Sequence, residues 1–95
     1  MNFKIPSKIR LSGVEHEVRL HPHLGADTNA RGTASYFSRT IDIDPALPPV
    51  ELQHVFLHEV VHMIDHIFAT ELTESQIGRL AYGVSELIQQ LENDG

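Results

Sequence analysis

The chain has 95 residues and no cysteine, with 13 Asp and Glu against 7 Lys and Arg for a formal charge of −6, and this composition describes one small acidic domain. Without thiols, disulfides and thiolate metal sites are excluded, which leaves His and carboxylate as the strong ligands for a transition metal. The acidic balance and singly scattered basic residues argue against binding a nucleic-acid backbone; with no long apolar run at the N-terminus or of membrane-spanning length, a soluble, cytoplasmic chain with no membrane contact is expected.

Residues Lys8 to Leu20 read as a β-hairpin around Ser12-Gly13, where Gly supplies positive φ for a two-residue turn. In that register Leu11 faces Val14 and Ile9 faces His16 on one side. On the other, Arg10 faces Glu15 and Lys8 faces Glu17, so opposite charges meet across the strands. His16 falls on the apolar face, where a structural role outweighs a ligand role.

His21 to Arg31 has the Pro, Gly, Asp and Asn content of a loop, long enough to border a groove. Its two histidines, in His21-Pro22-His23, are a weak metal candidate for want of a suitably spaced carboxylate. A second hairpin follows, with Thr33 to Phe37 and Thr40 to Asp44 either side of Ser38-Arg39. Its pairing puts Tyr36 with Ile41 and Ala34 with Ile43, and Ser35 with Asp42 and Thr33 with Asp44. Pro45, Pro48 and Pro49 then end the sheet, and the last pair suits the first turn of a helix. The fold class is therefore α+β, a small antiparallel sheet of about four strands packed on two C-terminal helices.

The first of these helices should run from Pro49 to about Phe68. On its wheel Leu52, Phe56, Val60, Met63, Ile67 and their neighbours fill one half, to Phe68 and Val61. His54, His58, His62, His66, Glu51, Glu59 and Asp65 fill the other, with Val55 as its single apolar member. That polar half carries His58, Glu59 and His62 of the stretch His58-Glu59-Val60-Val61-His62. Two His four apart on a helix reach one ion, and a Glu after the first can act as general base, the H-E-x-x-H arrangement of zinc peptidases. With 7 His and 8 Glu in the chain, shuffling yields the pattern about 0.04 times. His58 to His66 spans about 12 Å of helix axis, too far for one ion, so His66 is read as exposed or substrate-side. Asp65 is placed either to orient His62 or to stand in solvent.

Catalytic zinc takes three protein ligands. Thr73-Glu74-Ser75-Gln76 is a capping box that opens a second helix through Leu91, whose apolar face comprises Ile77, Leu80, Ala81, Val84, Leu87, Ile88 and Leu91. Glu74 borders that face and is the best third ligand; Glu71 is the fallback. For Glu74 to reach the ion, the first helix must stop promptly and the chain must double back. So small a domain has no second lobe to wall a cleft, so its site must be shallow or completed by a partner.

Ile41-Asp42-Ile43-Asp44, Leu57 through Asp65, and Leu72 through Ala81 together resemble small zincin metallopeptidases, similar to the short phage and bacterial proteins near the ImmA/IrrE-like and minigluzincin peptidases. The resemblance implies zinc on His58, His62 and Glu74, and an edge strand that pairs with an extended peptide, for which Thr33 to Phe37 is the choice. The metzincin continuation is missing, since Asp65 and Phe68 stand where its Gly and third His belong. The expected activity is zinc-dependent hydrolysis of a protein or peptide substrate with Glu59 as the catalytic base. The alternative is a non-catalytic zincin-fold module that acts through a protein partner. Tyr36, Tyr82 and His66 are the candidates to stabilise an oxyanion.

Overall fold

The computed structural model describes residues 4–28 and 30–94. Its first hairpin joins β1 (Lys8–Leu11) to β2 (Val14–Leu20) in the expected register, Lys8 opposite Glu17 through Leu11 opposite Val14. Ser12 and Gly13 both have positive φ, at 52° and 77°, the backbone that a tight two-residue hairpin turn requires. The ion pair across the strands is diagonal, with Lys8 Nζ 3.7 Å from Glu15 Oε2, both side chains well exposed.

Between the hairpins the chain is not wholly loop: Leu24–Thr28 forms a short helix, α1, and the Leu24 side chain is buried. Asp44 fastens it, because its Oδ2 accepts the Gly25 N–H at 3.2 Å while Oδ1 accepts the Ala46 N–H at 2.9 Å. Together those donors hold the Asp44 carboxyl below its ordinary pKa.

The second hairpin joins β3 (Gly32–Ser35) to β4 (Thr40–Ile43), with Gly32 opposite Ile43 and Ala34 opposite Ile41. This is two residues out of the expected register, and Tyr36 leaves the strand for a four-residue turn through Arg39, which has φ 57°. Hydroxyls set that turn: Ser38 Oγ lies 2.7 Å from Ser35 Oγ and 2.9 Å from Thr40 Oγ1. A slip of two keeps every side chain on its face, so the hydrophobic pattern does not resist it.

The strands lie in the order β1-β2-β4-β3, and the sheet is mixed, because β2 and β4 run parallel with Val18 opposite Ile41 and Leu20 opposite Ile43. Parallel neighbours need a long crossover, and the segment through α1 and β3 supplies it. Burial explains the order. Ile41 and Ile43 are fully enclosed and take the interior of the sheet, while the small residues of β3 go to its edge.

Helix α2 (Pro49–Phe68) has the expected bounds. Proline occupies its first turn, and Ala69 ends it in the left-handed conformation, its N–H returning to the Asp65 carbonyl. Helix α3 (Glu74–Asp94) opens on a reciprocal capping box, with Gln76 N–H donating to Thr73 Oγ1 at 3.1 Å and Thr73 N–H to Gln76 Oε1 at 2.9 Å. α2 packs against both the sheet and α3, so its burial is not confined to one half of the wheel. Val55 and Glu59, assigned to the polar half, are buried, whereas Phe68, assigned to the core half, is 59 % exposed. Gln53 is also enclosed, accepting at Oε1 from Ser85 Oγ at 2.9 Å and Gln89 Nε2 at 3.1 Å across the α2–α3 seam. Among the described residues no helix is long and apolar enough to cross a membrane.

Candidate metal centre

The His58 and His62 rings lie one turn apart on α2, centroids 5.0 Å from each other, and both turn Nε2 toward the first residue of α3. His58 Nε2 donates to Glu74 Oε1 at 2.7 Å, and His62 Nε2 lies 3.0 Å from Oε2. An ionised carboxylate only accepts, so the His58 proton sits on Nε2. What burial Glu74 has works against its charge, but the hydrogen bond from His58 and the nearby His62 outweigh it and lower its pKa. The three ligand atoms lie within 4.8 Å of one another. Two imidazole nitrogens and one carboxylate oxygen form a donor set suited to zinc, and the carboxylate already sits between the nitrogens with which it would share an ion.

The chain returns Glu74 to this place through Asp65. Asp65 Oδ1 accepts the Leu72 N–H at 2.8 Å and also bonds the Thr70 hydroxyl, while its carbonyl takes the Thr70 N–H at 3.2 Å. Asp65 thus closes the α2–α3 connection, a role distinct from both sequence readings of it. The fallback ligand Glu71 lies in this connection with φ 56°, exposed and outside the cluster.

Glu59 projects from the next position on α2 and is 9 % exposed. Burial raises its pKa, His58 and His62 pull it down, and Glu74 adds to the rise, with burial dominant. β3 covers it closely. A Cβ on Gly32 would fall 2.7 Å from Val55 Cγ1 and 3.2 Å from Glu59 Cγ, so glycine is what lets the edge strand lie over this part of α2. Arg31, Gly32, His54, His58, Glu59 and Glu74 line an open groove of about 240 Å³ beside that edge.

Aromatic pairs flank the site. Tyr36 stacks on His66 at 4.2 Å with the rings 4° from parallel, and His54 stacks on Tyr82 at 3.8 Å. The Tyr36 hydroxyl is held protonated, first by burial and then by the negative charges of Asp65, Glu59 and Glu74. His54 is kept neutral by burial and by its neighbours His58 and Arg31. His16 is a core residue, its Nδ1 donating to the Val14 carbonyl at 3.0 Å. Among the described residues, His58, His62 and Glu74 are the group brought into metal-binding geometry, and neither His21 nor His23 joins it.

Comparison with protein-family models, with curated proteins and with solved structures finds no match for the chain.

Proposed function

We propose that the protein is a zinc-dependent metalloendopeptidase of the small zincin kind, with His58, His62 and Glu74 as the metal ligands. The observation that carries this reading is the convergence of those three donors within 4.8 Å, with the buried carboxylate of Glu59 one residue from the first of them. Zinc held there supplies Lewis acidity, which acidifies water and polarises a peptide carbonyl. Glu59 removes a proton from the attacking water at its carboxylate and delivers it to the leaving amine; its raised pKa suits both halves of that transfer. Tyr36, kept as an O–H donor and braced by His66, is the group assigned to the developing oxyanion. Tyr82 is engaged with His54 instead.

β3 supports the choice of a peptide as substrate. It is the free edge of the sheet beside the groove, and an extended chain can add to such an edge through main-chain hydrogen bonds. The openness of the groove and the 69 % exposure of the Glu74 side chain favour a second reading, a zincin-fold module that docks to a protein partner without cleaving it. A peptide-library cleavage assay on the zinc-loaded protein and on Glu59→Gln separates the two. The peptidase predicts cleavage by the wild type that the variant lacks, whereas the module predicts none by either.

A further inference from the structure

Leu11, Val14 and His16 lie on one face of the first hairpin, the face that carries the core residue Val18, because alternate residues of a strand point the same way and Leu11 stands opposite Val14. α2 packs on β3 and β4. Between its C-terminal half and the hairpin a cavity of about 350 Å³ stays open, roomier than the metal groove and in the size range of small-molecule sites. Leu11, Val14, Met63 and Ile67 give it apolar walls, and none of His58, Glu59, His62 and Glu74 reaches it. A buried acceptor faces this space. His16 is 4 % exposed and lines the cavity; its Nδ1 donates to the Val14 carbonyl, so in the neutral ring Nε2 holds the lone pair. Among the described side chains, the unpartnered atoms sealed from solvent are Gln53 Nε2 and His54 Nδ1. His16 Nε2 has no partner within the chain either, but it is not sealed, and the cavity is what it opens on. At the rim stands Arg39, exposed and without an ion pair among the described residues.

We propose that this cavity binds a phenolic acid, a small aromatic carboxylate whose ring hydroxyl donates to His16 Nε2 and whose carboxylate pairs with Arg39. The ring rests between the apolar walls, where the Met63 thioether makes a favourable contact with an aromatic edge. The lining selects against other ligands. A hydrocarbon would leave the His16 acceptor and the Arg39 charge unmet, and a buried acceptor that loses water without gaining a donor costs binding. A phosphate would find one cation at the rim and apolar side chains beneath it. A hydroxyl at one end of an apolar body and a carboxylate at the other meet both groups, and the carboxylate bond to guanidinium is charge-assisted.

Calorimetric titration of the full chain with 4-hydroxyphenylacetate tests this, with a chelator present so that no metal takes the carboxylate. One saturable site is expected. Phenylacetate, which lacks the hydroxyl, and 4-ethylphenol, which lacks the carboxylate, should each bind about tenfold more weakly. Arg39→Gln should weaken 4-hydroxyphenylacetate about tenfold and leave 4-ethylphenol unchanged. His16→Phe should no longer distinguish 4-hydroxyphenylacetate from phenylacetate. Should that variant fail to fold, the wild type still decides: in nitrogen NMR the His16 Nε2 signal should move on saturation with 4-hydroxyphenylacetate and not with phenylacetate, while Nδ1 keeps its proton. No binding at millimolar ligand, equal affinity for the two acids, an unmoved Nε2 signal, or Arg39→Gln binding as tightly as the wild type overturns the proposal. None of these readouts needs zinc or cleavage, so the cavity and the peptidase reading stand or fall separately.

Discussion

Asp65 Oδ1 accepts the backbone N–H of Leu72 at 2.8 Å, and this bond closes the turn that brings Glu74 back against His58. The Thr70 hydroxyl and then the Leu72 N–H hold the Asp65 carboxyl below its ordinary pKa. A pKa lowered on folding contributes stability that is fully present above the unfolded value of about 3.9 and is lost as pH falls through the folded one. Asp65→Asn should therefore melt below the wild type at neutral pH, and the two melting curves should converge in acid. Calorimetry across that range checks it; a gap independent of pH would mean the Asp65 charge has no part in closing the turn.

Gly32→Ala should destabilise the protein by about 1–3 kcal/mol, the usual cost of forcing an extra methyl into a packed site. The new Cβ has Val55 Cγ1 at 2.7 Å and Ile43 Cδ1 at 3.2 Å, so neither neighbour can yield without moving the core. Urea denaturation measures the loss. Because Glu59 Cγ also lies 3.2 Å away, cleavage activity should fall further than the unfolded fraction explains.

On the proposed peptidase reading, Glu59→Gln removes the proton carrier and keeps the shape of the side chain. Turnover should drop roughly 10²–10⁴-fold while zinc affinity stays within a factor of a few. A steady-state assay paired with metal analysis checks both halves, and unchanged turnover would exclude Glu59 as the base.

Tyr36→Phe removes one donor and leaves the stacking surface on His66. The expected effect is a fall in kcat of about 10²-fold with zinc retained and KM little changed. A change confined to KM would assign Tyr36 to substrate binding instead of to the oxyanion.

What could be read from the chain depended on how local its cause was. The Ser12-Gly13 hairpin and its register, the bounds of α2 between Pro49 and Phe68, and the Thr73–Gln76 capping box are each fixed by residues a few positions apart. The convergence of Glu74 on His58 and His62 follows from the capping box and a short connection, both visible in sequence. The parallel pairing of β2 with β4 was hidden because it joins distant segments and leaves the alternation of each strand unchanged. The two-residue slip at Ser38-Arg39 was hidden because hydroxyls, not a glycine, shape that turn. A wheel with one buried half misplaced Val55 and Glu59 because α2 is covered by both the sheet and α3. Asp65 escaped for a similar reason, since its partners are the Thr70 hydroxyl and a backbone N–H seven residues away, both beyond the end of its helix.

Zinc content, measured on the wild type and on His58→Ala, His62→Ala and Glu74→Ala after dialysis against the metal, tests the account at its centre. One tightly bound zinc per wild-type chain, none in either His variant and at least about tenfold weaker binding in Glu74→Ala is the expected result. Stoichiometric zinc retained in both His variants would contradict it, since the metal would then be held by other residues.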